Sequence, residues 1–173
     1  MENVTQSKSR IPLVIGLAVG VVIGLPIIAF LGFCVVLGVG MSAGVVADTE
    51  VLPGNKLPPR AKKTVVASAG LDPGERIVYF YSAAISPDGD GNLLTDRRVI
   101  SYVDDGSDRW CESIAIEDIV SVQFDRNEAW FEDSTIIVTS SDGTELELYA
   151  SNENDGDVKF VDAIKTAAKL DEP

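Results

Sequence analysis

The stretch Gly91-Asn92-Leu93-Leu94-Thr95-Asp96-Arg97-Arg98-Val99-Ile100-Ser101-Tyr102 decides the fold. Asn92–Thr95 reads as a short strand, Asp96-Arg97 as a tight turn and Val99–Val103 as the returning strand. Upstream, Arg76–Ser82 (RIVYFYS) is rich in β-branched and aromatic residues, and the turn-rich Pro87–Gly91 separates it from the pair. Downstream, Asp104–Asp108 (DDGSD) breaks the chain before Trp110–Ile116. In Ile119–Asp125, Val120, Val122 and Phe124 alternate with polar residues, which is strand periodicity. Ser134–Ser140 and Glu145–Tyr149 flank Asp142-Gly143, a hairpin signal. Leu146 and Leu148 point one way in that last strand, Glu145 and Glu147 the other. The period then changes. Phe160, Val161, Ile164, Ala167 and Ala168 follow a helical stripe over about residues 156–169, with Lys159, Asp162, Lys165 and Lys169 facing away. The expectation is seven strands closed on one face by one amphipathic helix.

Seven strands followed by a C-terminal helix is the order of the pleckstrin-homology (PH) superfold. Leu71-Asp72-Pro73-Gly74-Glu75-Arg76-Ile77 resembles the opening of bacterial PH-like and GRAM-like domains. The stretch from Gly91 to Tyr102 is similar to their strand pair, and Ile114–Val122 (IAIEDIVSV) to the step that follows. The resemblance covers about residues 70–170. It implies a mainly β fold, a seven-stranded, strongly bent, partly open barrel capped by one helix. It also implies a binding or assembly module, and it carries no catalytic signature. Lipid-binding members of the family grip phosphates with basic residues between their first two strands. Here 83–91 holds no Lys or Arg and two acids, so phosphoinositide binding at that site is not expected. The Thr95–Arg98 cluster reads as turn chemistry rather than as a ligand site.

Charge divides the chain. Of 173 residues, 14 are Lys or Arg and 27 Asp or Glu, for a net −13. Residues 1–63 sum to +3 and residues 64–173 to −16. An acidic chain repels nucleic acid, so no nucleic-acid partner is expected. With no His anywhere, a Ser–His or Cys–His nucleophile is impossible within the chain. Two Cys build neither a Cys-rich zinc site nor a disulfide scaffold. Cys111 reads as an inert core thiol. Asp88–Asn92 imitates half a calcium loop, but Leu93 and Val99 stand where Gly and Glu are required. No catalytic residue, cofactor or metal ligand is assigned.

Between Arg10 and Asp48 lie 37 consecutive uncharged residues. A helix needs about 20 residues to cross a bilayer core. A signal-peptide apolar region is about 7–15 residues, so residues 11–47 read as an uncleaved transmembrane segment behind a short basic tail, 1–10. A lipoprotein site at Cys34 is disfavoured by the bulky Phe33. Pro26 lies in mid-run. A single kinked or tilted helix is preferred there, with a re-entrant hairpin as the alternative. Gly16, Gly20 and Gly24 recur every four residues, a spacing that lets a second helix approach. Gly is also simply frequent in membrane helices.

Residues 48–69 read as a juxtamembrane linker, extended by Pro53, Pro58 and Pro59. Lys56, Arg60, Lys62 and Lys63 outnumber Lys8 and Arg10 on the other flank, which favours a cytoplasmic C-terminal domain. They are also candidates for contact with anionic headgroups. Trp130 and Phe131, set among charged residues between two strands, are candidate partner contacts, or else they close one end of the barrel. The expected role is a single-pass, cell-membrane-tethered, non-catalytic module. It presents an acidic β domain to protein partners or to copies of itself. The alternative is a peripheral sensor of anionic lipid through Lys56–Lys63. Carboxylate pairs such as Asp104/Asp105 and Glu132/Asp133 fall in solvated turns, so an enzyme using paired carboxylates lacks a recognisable site here.

Overall fold

The computed structural model describes the backbone of residues 11–104, 106–129 and 132–170, and side chains from residue 26 onward. Two compact units emerge, Met1–Val39 and Gly40–Pro173. Helix α1 (Ile11–Ser42) runs through Pro26 as one helix, so the chain does not turn back at that proline. Among the described residues no helix is long and apolar enough to cross a membrane.

The second unit holds β1 (Leu52–Pro53), α2 (Pro59–Ser68), β2 (Ile77–Tyr81), β3 (Asp90–Thr95), β4 (Arg98–Asp104), β5 (Arg109–Ala115), β6 (Ile119–Asp125), β7 (Ser134–Ser140), β8 (Glu145–Ala150) and α3 (Gly156–Ala168). The seven expected strands are β2–β8 and the expected helix is α3. All pairings are antiparallel. The strands form a five-stranded sheet ordered β1-β2-β3-β4-β5 and a three-stranded sheet ordered β6-β7-β8. The expected barrel is therefore two sheets with no closure. A 3-10 turn, Ile116–Asp118, leads from β5 into the second sheet.

One core lies between the sheets and α3. Leu94, Val99 and Ile114 from the first sheet meet Ile136, Val138 and Leu148 from the second, with Phe160, Val161 and Ile164 from α3. Tyr79 stacks edge-on against Phe160, ring centroids 6.3 Å apart. Three apolar positions of α3 are shielded from water, and each contributes roughly 1.5–3 kcal/mol.

A second core occupies the opposite face of the five-stranded sheet. Leu57, Val65 and Ala69 cover Ile77, Phe80, Leu93, Ile100 and Tyr102. The segment expected to be an extended linker is thus folded. Pro59 stands at the first position of α2, where its missing N–H costs nothing and its fixed φ suits the helix. Ala61 and Val65 then share the inward face. Pro53 sits in the edge strand β1, where no ladder donor is required of it. A Cβ on Gly54 would lie 2.0 Å from the carbonyl oxygen of Ile77, so only glycine allows this approach. A register shift between Ile77 and Tyr79 places Ile77 and Phe80 toward α2, and Tyr79 and Tyr81 toward the other core.

Cys111 differs from the sequence expectation. It is exposed, with its thiol donating to the Ala69 carbonyl at 3.8 Å.

Candidate interaction surfaces

The Leu71–Arg76 and Thr95–Arg98 segments, about twenty residues apart in sequence, meet at one polar knot. The Glu75 side chain is fully buried. Its carboxylate accepts from Arg98 Nε at 3.0 Å and Nη2 at 3.1 Å, from the Asp72 N–H at 2.9 Å, and from Thr95 Oγ1 at 2.8 Å. Burial works to raise its pKa. The hydrogen bonds from Arg98, Asp72 and Thr95 outweigh that and hold the carboxyl below its ordinary value. Thr95 Oγ1 also accepts from the N–H groups of Arg97 and Arg98, which shapes the β3–β4 turn. Beside the knot, Arg76 pairs with Asp96 at 2.9 Å and Arg97 with Asp72 at 3.5 Å. The arginine cluster is thus consumed by structure.

The β2–β3 loop is held by a second polar group. Asp90 accepts from Ser82 Oγ at 2.6 Å and from the Ala84 N–H at 3.1 Å. Tyr81 Oη donates to Asp133 at 2.6 Å. Burial pushes the Asp133 carboxyl above its usual range; the tyrosine hydrogen bond opposes this and nearby Asp90 adds to it. The loop then carries Ile85, which is 80% exposed, although no sequence pattern marked it.

The cations are distributed in two ways. Each arginine of the β body is in an ion pair: Arg76, Arg97, Arg98, Arg109 with Asp104, and Arg126 with Asp155 and the buried Asp157. Lys56, Arg60, Lys62 and Lys63 are all exposed and in no ion pair among the described residues. Lys165 and Lys169 are likewise unpaired, at the end of α3 where the helix carbonyls favour positive charge. The four candidate headgroup contacts therefore share one part of the fold: α2 and the turn before it. Gly16, Gly20 and Gly24 lie where side chains are outside the described residues. Trp130 and Phe131, like the tail residues Lys8 and Arg10, also lie outside them.

No family model matches the chain, and no curated protein matches it. Among solved structures it is similar to a DUF1696 family protein with a pleckstrin-homology domain from Shewanella loihica PV-4. The identity is 14% over 70% of this chain and 94% of that one, with a TM-score of 0.44. It is similar to the Vps36 N-terminal PH domain at 15% identity, covering 58% of this chain and 83% of that one, with a TM-score of 0.43. A pleckstrin-homology domain from Shewanella amazonensis SB2B gives 21% identity over 63% and 85%, with a TM-score of 0.43.

Proposed function

We propose that the chain is a membrane-tethered, non-catalytic binding module of PH-like architecture. Its apolar N-terminal segment fixes an acidic β body beside the cytoplasmic face of the cell membrane, where the body meets protein partners or further copies of itself. The observation that supports this most is the run of 37 uncharged residues between Arg10 and Asp48, joined directly to the folded body.

Alkaline extraction of membranes bearing the full chain tests the tether. The protein is expected to stay in the membrane fraction and to leave it only with detergent. Recovery in the aqueous fraction overturns the reading. Sidedness follows from Cys111, whose exposed thiol should react with a membrane-impermeant maleimide only after the cells are permeabilised. A second reading, contact with anionic lipid, is favoured by the four exposed cations of α2 and its preceding turn.

A further inference from the structure

We propose that the outer edge of β5 takes up an extended, positively charged segment of a partner protein as a further strand of the five-stranded sheet. The inference deepens the reading of the chain as a protein-binding module and does not depend on the tether. Three observations within the second unit carry it: the direction of the backbone groups, the unguarded length of the strand and the charge beside it.

Two hydrogen bonds fix the direction of the backbone groups. Just past β5 the Ile116 N–H donates to the Arg97 carbonyl at 2.9 Å, and at the end of β4 the Asp104 N–H turns the other way, to the Gly89 carbonyl at 2.7 Å. Bonded and non-bonded pairs alternate along an antiparallel ladder. Val99 with Ile114, Ser101 with Glu112 and Val103 with Trp110 are therefore the pairs bonded across β4 and β5. The N–H and C=O groups of Cys111 and Ser113 point away from β4. Among the described residues no other backbone group bonds to them, and β5 is the last strand of its sheet. Arg109 to Ser113 are all exposed, so another chain can reach this ladder.

An open edge is usually blunted by shortness, proline or a bulge. β1 is two residues long and includes Pro53. β6 shifts register between Ile119 and Ser121 and packs against α3. β5 runs for seven residues in unbroken register with β4, and holds no Pro, Gly or Lys.

The side chains select the occupant. Trp110 and Glu112 share the face of β5 turned away from Cys111. Trp110 is 42% exposed. Glu112 is exposed and enters no ion pair among the described residues, whereas Arg109 is matched by Asp104 at 3.2 Å. Residues 64–173 sum to −16, and each arginine among them is already paired. A second copy brings the same charge. Symmetric pairing centred on Glu112 sets that residue against itself, centring on Trp110 sets it against Asp108, and centring on Cys111 sets it against Trp110, so none supplies a cation. A strand with Lys or Arg opposite Glu112 gives the carboxylate its partner and lays a cation beside the Trp110 ring.

The probe is a terminally blocked peptide as long as β5, alternating Lys with Val, offered to the full chain in detergent micelles. Lys opposite Glu112 turns its own N–H away from β5, while Val opposite Cys111 and Ser113 turns its N–H inward. Methylating the Lys backbone nitrogens should leave affinity unchanged; methylating those of Val should lower it by about 10-fold. Glu112→Gln should lower it by about 3-fold, and added salt should act in the same direction. Deuterium exchange at the Cys111 and Ser113 amides should slow in the complex, with β6 unaffected. Absence of binding at low salt overturns the proposal, as does protection of β6 in place of β5. Equal affinity of the two methylated peptides also overturns it, since the peptide is then held by charge without joining the sheet. Alkaline extraction reads the tether separately, so the failure of either leaves the other standing.

Discussion

Glu75 joins two turns through one buried carboxylate. Replacing it by Gln keeps the shape but removes the charge that Arg98 faces, with Arg98 itself only a quarter exposed. Glu75→Gln should cost about 2 kcal/mol, read from urea midpoints of the full chain. The pH dependence has a fixed sign. The folded carboxyl titrates below its ordinary value of 4.5, so its contribution is complete above that value and is lost as pH falls through the folded one. The stability gap between the native chain and Glu75→Gln should therefore shrink on acidification to about pH 3. A gap that widened would mean Glu75 is protonated in the fold. Asp133 has the opposite sign: its raised value favours the folded state at low pH and works against it as pH rises. Both turn segments stand out in the sequence, yet their meeting does not. Hydrogen bonds over such a separation have no local pattern, and only the register of β2 on β3 brings them together.

At the level of elements, β7, β8 and α3 were legible because each has one more buried and one wetter side, and periodicity reports that contrast; β3 and β4 were legible from the turn residues that bound them. α2 and β1 were hidden by their prolines, which read as breakers wherever the start of a helix or the edge of a sheet has not been located. A signal for a second layer was nevertheless present. Leu93-Leu94 and Val99-Ile100 are adjacent apolar pairs, and adjacent strand residues face opposite ways; all four are buried, so something apolar has to lie on each side of the sheet. Val65 supplies part of that cover and is completely inaccessible. Val65→Ala should cost about 2 kcal/mol in denaturant unfolding, against less than about 0.5 for Arg60→Ala on the outer face of the same helix. Equal effects would mean α2 is not part of the stable body. The basic cluster was legible as composition alone. The Ala47–Ile85 hydrogen bond was not legible, since it joins residues far apart in sequence.

Across the whole molecule, the opposition between a basic leading third and an acidic remainder was plain from the order of charges. What the fold adds is an unequal depth of cover. β3 and β4 have hydrogen-bonded neighbours along both edges and apolar layers on both faces, and five of the six β3 residues are buried. β1 pairs over only two residues, and α2 is held by a handful of side chains. Amide protons in β3 and β4 should thus exchange with deuterium only through global opening, whereas those of α2 exchange through a cheaper, partial opening. Mass-resolved exchange of the full chain would order them, and faster loss from β3 than from α2 would contradict the layering. A protein built this way can release its outermost layer while the strands beneath keep their shape.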